Sequence, residues 1–140
     1  MLVGKFPVKL DSKNRFLMPS RLRSDLTEKL VLTKGTKGKI LTVFTESEFM
    51  KNVNEIKNNP NLTPESKYKI SMFLSANAVS VELDSSSRIL LPQDLRAYLG
   101  LGGNDVMLLG LIDKVQIWNP EDYEREQVTA DDLDFEVFIW

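Results

Sequence analysis

The sequence predicts an α+β fold, mainly β, made of two copies of one small module that share a single core. A repeated motif is the first reason. Asp11-Ser-Lys-Asn-Arg15, followed by Phe16-Leu-Met-Pro19 and Arg23, returns 73 residues later as Asp84-Ser-Ser-Ser-Arg88, Ile89-Leu-Leu-Pro92 and Arg96. Val8 matches Val81 in the same register, as do Leu10 and Leu83, Phe16 and Ile89, Leu22 and Leu95, and Leu26 and Leu99. Register kept over about twenty positions marks a duplicated supersecondary unit. The second reason is that most apolar residues fall in short runs broken by polar turns, the pattern of strands. The third is size: at roughly 50 patterned residues neither half buries much surface alone, so the halves must pack together.

Each element follows from its residues. Val3 to Leu10 and Val79 to Leu83 read as strands, and each leads into the polar turn. Arg15 to Met18 and Arg88 to Leu91 return as short second strands, stopped by Pro19 and Pro92. Ser20 is placed to cap a short helix to about Leu26, and its counterpart runs from Gln93 to Leu99, ended by Gly100. Two strand pairs follow, Lys29 to Gly35 with Lys39 to Phe44, and Asn104 to Gly110 with Lys114 to Trp118. The best alignment sets Val31–Gly35 against Val106–Gly110 at an offset of 75, and Val43 against Ile117 at 74. Each copy closes with a helix start, the capping box Thr45-Glu-Ser-Glu48 and the Pro-led Asn119-Pro-Glu-Asp122. Thr63-Pro64-Glu65 opens a further helix to about Ala76, with Tyr68, Ile70 or Met72, and Phe73 on an apolar stripe. The chain thus divides into a first repeat over 1–53, a connecting helical segment over 54–76, a second repeat over 77–127 and an acidic, apolar tail over 128–140.

Composition narrows the function. The 140 residues, 42% hydrophobic and 27% charged, suit one globular domain, and no segment is long or apolar enough to span a membrane. The N-terminus lacks the apolar stretch of a secretory signal, so a cytoplasmic protein is expected. With no Cys and no His, disulfides, thiolate nucleophiles, the usual zinc ligands and the commonest general base are missing. Asp11 and Asp84 could form a carboxylate pair across a cleft, but each opens a polar turn whose backbone amides such a side chain accepts, and turn formation is the better reading. No enzyme activity and no cofactor are therefore expected. Charge is uneven: residues 1–39 hold ten Lys or Arg against three acids, and residues 117–140 one Arg against eight acids. Lys9, Lys13, Arg15, Arg21 and Arg23 crowd around one turn, the electrostatic footprint of a polyanion binder.

The doubled Asp-x-x-x-Arg turns, each followed by an apolar run, Pro and Arg, together with Phe73-Leu-Ser-Ala-Asn-Ala78 and Ile117-Trp118-Asn119, closely resemble the MraZ family. That family consists of bacterial transcription regulators with tandem AbrB-like (SpoVT-AbrB) domains, and the resemblance covers residues 1 to about 127. It implies a swapped-hairpin, double-psi-type barrel formed by two pseudo-twofold repeats in one chain, with peripheral helices. It also implies binding to double-stranded DNA at promoter direct repeats of the division and cell-wall gene cluster, by a ring-shaped homo-oligomer that is cytoplasmic and nucleoid-associated. No membrane and no small-molecule substrate are implied.

Carried onto this sequence, the DNA-contacting motif falls on Asp11 to Arg15 and Asp84 to Arg88. Arg15 and Arg88 suit it physically, since a planar five-donor fork binds guanine or phosphate bidentately. Lys13 is a candidate phosphate contact and Lys9 a further DNA-binding candidate, whereas Arg21, Arg23 and Arg96 either touch DNA or pair with local acids. The family usually has Gly before the motif Arg, but Asn14 and Ser87 stand there, and both would need a left-handed backbone. Repeat 2 has Ser86 where repeat 1 has Lys13, so repeat 1 should dominate. The tail departs from the family ending, and Phe135, Val137, Phe138, Ile139 and Trp140 suggest a docking segment. Alternatives are an AbrB-like antitoxin, for which the tail looks too short to wrap a toxin, and a ring-forming structural protein without specific DNA binding.

Overall fold

The structure is a computed structural model that describes residues 1–134. The first copy forms β1 (Leu2–Lys9), β2 (Arg15–Leu17), α1 (Ser20–Arg23), β3 (Leu30–Lys34), β4 (Leu41–Thr45) and α2 (Glu46–Lys57). After α3 (Pro64–Asn77), the second copy repeats the order as β5 (Val79–Val81), β6 (Arg88–Leu90), α4 (Gln93–Leu99), β7 (Asp105–Ile112), β8 (Val115–Trp118) and α5 (Pro120–Glu126). A 3-10 turn over Ala130–Asp132 follows. The fold is α+β with an antiparallel sheet, and the strand, strand, helix, strand, strand order is present twice.

The two copies exchange strands. The six-stranded sheet runs β1-β7-β8-β4-β3-β5, so β1 of the first copy pairs with β7 of the second and β5 of the second pairs with β3 of the first. A pseudo-twofold axis passes between β8 and β4, where Leu41 faces Ile117, Thr42 faces Gln116 and Val43 faces Val115. The same axis crosses the separate β2–β6 ribbon at the Phe16–Ile89 pair, flanked by Arg15–Leu90 and Leu17–Arg88. Pro7 is accommodated because β1 is an edge strand, whose outward amides need no partner.

The hydrophobic core shows why neither copy stands alone. Phe16 with Ile89, Met18 with Leu91, Leu22 with Leu95, Leu26 with Leu99 and Leu41 with Val115 are buried as repeat-related pairs in one cluster. Gly110 faces Gly4 across the exchanged β1–β7 pair. A Cβ added at Gly110 would lie 2.8 Å from the Leu2 carbonyl carbon and the Val3 nitrogen, closer than any side chain permits.

Four expectations are corrected. The repeat offset in the third strand is 76 and not 75: the core residues are Leu30 and Leu32, matching Val106 and Leu108, while Val31 lies off the central cluster. A one-residue slip turns every strand side chain to the other face, so only the buried alternation reveals the register. The expected closed barrel is not a hydrogen-bonded ring among the described residues. The six-stranded sheet is open, with β1 and β5 at its edges, and the β2–β6 ribbon is separate. Pro19 and Pro92, just beyond that ribbon, cannot donate to a continuing ladder. Third, α1 ends at Arg23, and Ser20 is its first helical residue, the N-cap position being Pro19 without a side-chain cap. Fourth, Ile70 and Leu74 of α3 are half-buried, whereas Tyr68 (65% exposed), Met72 (55%) and Phe73 (36%) of the expected stripe are exposed. Apolar residues surround that helix, so its periodicity singles out no face.

Three other helix starts carry a side-chain cap, although the Thr45 box forms only in part: no bond from the Thr45 amide to the Glu48 carboxylate is present among the described residues. The Thr45 hydroxyl accepts from the Glu48 amide, that of Thr63 from the Ser66 amide, and Asn119 Oδ1 from the Glu121 amide. Gly100 closes α4 in the left-handed conformation at φ 64°. The connecting segment contains the end of α2, a turn at residues 58–63 and nearly all of α3. The tail residues Phe135, Val137, Phe138, Ile139 and Trp140 lie outside the described residues.

Candidate nucleic-acid interface

Each Asp-x-x-x-Arg turn is built by its aspartate. Asp11 Oδ1 accepts from the amides of Lys13 and Arg15, both at 2.9 Å, and Asp84 Oδ1 accepts from those of Ser86 at 2.8 Å and Arg88 at 2.9 Å. These amides, that of the motif arginine foremost, hold both carboxyls below the ordinary aspartate range, against a smaller opposing effect of burial. The turn reading of the aspartates is thereby accounted for. Asn14 and Ser87 adopt φ 59° and 60°, the left-handed backbone expected where the family has glycine.

The turns feed the β2–β6 ribbon, whose two faces differ. Phe16 and Ile89 point into the core, while Arg15, Leu17, Arg88 and Leu90 share the opposite face. Arginine stands opposite leucine in both flanking pairs, so Arg15 and Arg88 are diagonal neighbours about 7–8 Å apart at the backbone. Their side chains are not held alike. Arg15 Nε donates to Asp11 Oδ2 at 2.9 Å, and its Nη1 lies 4.0 Å from Asp84 Oδ2. That buttress fixes the guanidinium plane, with Nη1 beside Asp84 and no hydrogen bond to Nη2 among the described residues. No hydrogen bond holds the Arg88 guanidinium among the described residues, and Lys13 is exposed with no side-chain partner among them.

The remaining candidates are tied into the fold. Arg96 Nη1 donates to Asn14 Oδ1, and its Nη2 donates to the Gly103 carbonyl at 3.2 Å and Asn104 Oδ1 at 2.9 Å. Asn14 Nδ2 donates to Gln93 Oε1 at 3.0 Å, so the first turn rests on α4 of the second copy. Arg23, the repeat partner of Arg96, donates from Nε to the Met18 carbonyl at 2.7 Å. Arg21 stacks over Phe6, its Cζ 5.4 Å from the ring centroid, and Lys9 pairs with Asp105 at 3.0 Å on the surface. The local partners of Arg23 and Arg96 are carbonyl and amide oxygens, not the acids expected. The structure brings Lys13, Arg15 and Arg88 to one surface, whereas the basic residues of 1–39 do not all lie there. Lys39 lines a groove with Asp122 and Glu126 of α5, and Lys34 sits 4.7 Å above the Tyr98 ring. Sequence reasoning missed Leu17 and Leu90, whose outward setting follows from the two-residue strand period beside the buried Phe16 and Ile89.

Comparison with known proteins decides the family. The family model described as "MraZ protein, putative antitoxin-like" matches residues 1–69 and 72–136. The chain belongs to the MraZ family. A protein of Caldanaerobacter subterraneus subsp. tengcongensis named "Transcriptional regulator MraZ" is 36% identical over 136 residues, covering 97% of this chain and 92% of the relative. One of the same name from Clostridium botulinum (strain Alaska E43 / Type E3) is 34% identical over 137 residues, covering 98% and 93%. Another from Caldicellulosiruptor saccharolyticus is 34% identical over 126 residues, covering 90% and 86%. The match thus spans both copies of the module, including both Asp-x-x-x-Arg turns.

Proposed function

We propose that the chain is a sequence-specific, DNA-binding transcription regulator that acts by occupying promoter DNA, without covalent chemistry or a cofactor. The observation that carries this reading is the pairing of Arg15 and Arg88 on the solvent face of a two-stranded ribbon, beside a pseudo-twofold axis. A major groove about 12 Å wide admits such a ribbon, and arginine forks match the O6 and N7 acceptors of guanine. The names of the relatives support a role in transcription regulation. Arg15 is the principal reader, because Asp11 takes its Nε and holds the guanidinium plane, with Lys13 on the same turn for phosphate. Arg88 reads the related position with less fixed geometry.

One chain offers few contacts, so the assembly is a ring-shaped homo-oligomer whose subunits each engage one direct repeat, spaced about one helical turn apart. The proposed target is the promoter of the division and cell-wall gene cluster, and the setting cytoplasmic and nucleoid-associated. Gel-shift titration against the gene's own upstream region tests the reading. Arg15→Ala should abolish specific binding with the fold intact, since one bidentate base contact contributes about 1–3 kcal/mol and recurs in every engaged subunit. Arg88→Ala should do less damage. Unchanged operator affinity in Arg15→Ala would refute the assignment, and light scattering showing monomer alone, with one repeat bound as tightly as three, would refute the ring.

A further inference from the structure

Leu17 and Leu90 are 48% and 54% exposed although the ribbon that carries them has a fully buried opposite face. They are repeat equivalents, each directly opposite a motif arginine, and they are diagonal neighbours across the pseudo-twofold axis. Two adjacent leucines left in water at the centre of a polar surface call for a partner with apolar groups. The surrounding charge restricts what that partner is. Arg15 and Arg88 stand directly opposite the leucines and Lys13 lies on the turn that leads into the ribbon, while the Oδ1 atoms of Asp11 and Asp84 are occupied by backbone amides of their own turns. Apposing the same face of a second copy would bring these cations together. A polyanion that displays apolar groups between its phosphates has the matching chemistry. In the major groove the thymine C5-methyl is that group, and apolar side chains are its usual contacts.

Resting on the DNA-binding reading above, we infer that Leu17 and Leu90 are specificity-determining residues that contact thymine methyl groups while the neighbouring arginines read guanine. Each arginine–leucine pair then reads two adjacent features of the operator, and the axis between the pairs relates the two readings. Opposed pairs have Cβ atoms about 4.5–5.5 Å apart, and diagonal neighbours are about 7–8 Å apart at the backbone. The four side chains therefore span about two to three base pairs at about 3.4 Å of rise per base pair.

The experiment begins with the operator that the full-length protein selects from random duplex DNA. Each thymine of a single repeat is then replaced by deoxyuridine, which removes the C5-methyl alone. Wild-type affinity should fall about fourfold at the contacted thymines, the effect of one buried methyl-sized group. Leu17→Ala and Leu90→Ala should bind more weakly and lose that sensitivity, each at its own thymine, while melting curve and oligomeric state stay as in wild type. Leu17→Met should retain the sensitivity. The inference is overturned if deoxyuridine is silent at every position in wild type, or weakens the alanine variants equally. It is also overturned if those variants change assembly and not DNA recognition. A wild type that selects no sequence would overturn the DNA-binding reading itself, and the inference with it.

Discussion

Replacing Arg96 with alanine separates a fold-supporting arginine from a DNA contact. Its guanidinium donates to Asn14 Oδ1, the Gly103 carbonyl and Asn104 Oδ1, joining α4 to the first motif turn and to the segment before β7. A net contribution of about 0.7 kcal/mol per bond, toward the low end because part of the group reaches water, gives a loss of about 2 kcal/mol. For a chain of this size that lowers the melting temperature by about 4–8 °C. Urea unfolding measures the loss directly. A double-mutant cycle with Asn14→Ala should return a coupling of about 1 kcal/mol, because the left-handed strain of alanine at position 14 occurs in both arms and cancels. DNA titration at several salt concentrations supplies the second readout. The salt slope should be unchanged, whereas removal of a phosphate contact lowers it by about one. An unchanged unfolding curve with a reduced slope would show that Arg96 touches DNA and that its bonds to Asn14, Gly103 and Asn104 add nothing.

Three further outcomes are expected. Gly110→Ala should lose about 2–3 kcal/mol in urea unfolding, because its Cβ would strike the backbone of Leu2 and Val3, and unchanged stability would contradict the β1–β7 packing. Ser87→Gly should gain about 0.5 kcal/mol, since left-handed strain of about 1–2 kcal/mol exceeds the added chain entropy, while Asn14→Gly should lose stability through the bonds to Gln93 and Arg96. Both aspartate pKa values are lowered in the folded state, so their stabilisation is present above the unfolded value and is lost as pH falls through the folded one. The unfolding midpoint should therefore drop as pH falls below about 4, more steeply in wild type than in Asp11→Asn/Asp84→Asn, and parallel pH profiles would contradict it.

Much of the architecture is legible in the amino-acid order, because local rules act within a few residues. The Asp-x-x-x-Arg spacing suffices for an aspartate to accept the amides two and four positions on, and both turns do this. Pro19 and Pro92 end the second strands, Gly100 ends α4, and Thr45, Thr63 and Asn119 cap helices, since each effect depends on one side chain and the backbone beside it. Positive φ at Asn14 and Ser87 follows from their place in the repeat. Where apolar residues crowd both faces of an element, the same reasoning fails. Val31 between Leu30 and Leu32 hid the strand register, and the apolar girdle of α3 hid which of its residues are half-buried.

Interactions between residues far apart in the chain followed a different logic. Nothing in the spacing of Arg96 distinguishes a surface arginine from one bound to Asn14, because that acceptor, 82 residues away, is brought near only by the packing of one copy on the other. Arg15 acquires its proximity to Asp84 in the same way, across the pseudo-twofold axis. The duplicated motif is enough to establish two equivalent modules, since repetition is a property of sequence. That β1 pairs with β7, that the sheet stays open, and that two arginines and two leucines share one exposed face follow from burial. Each module's apolar face is covered only by the other's, and that requirement acts on the whole chain at once.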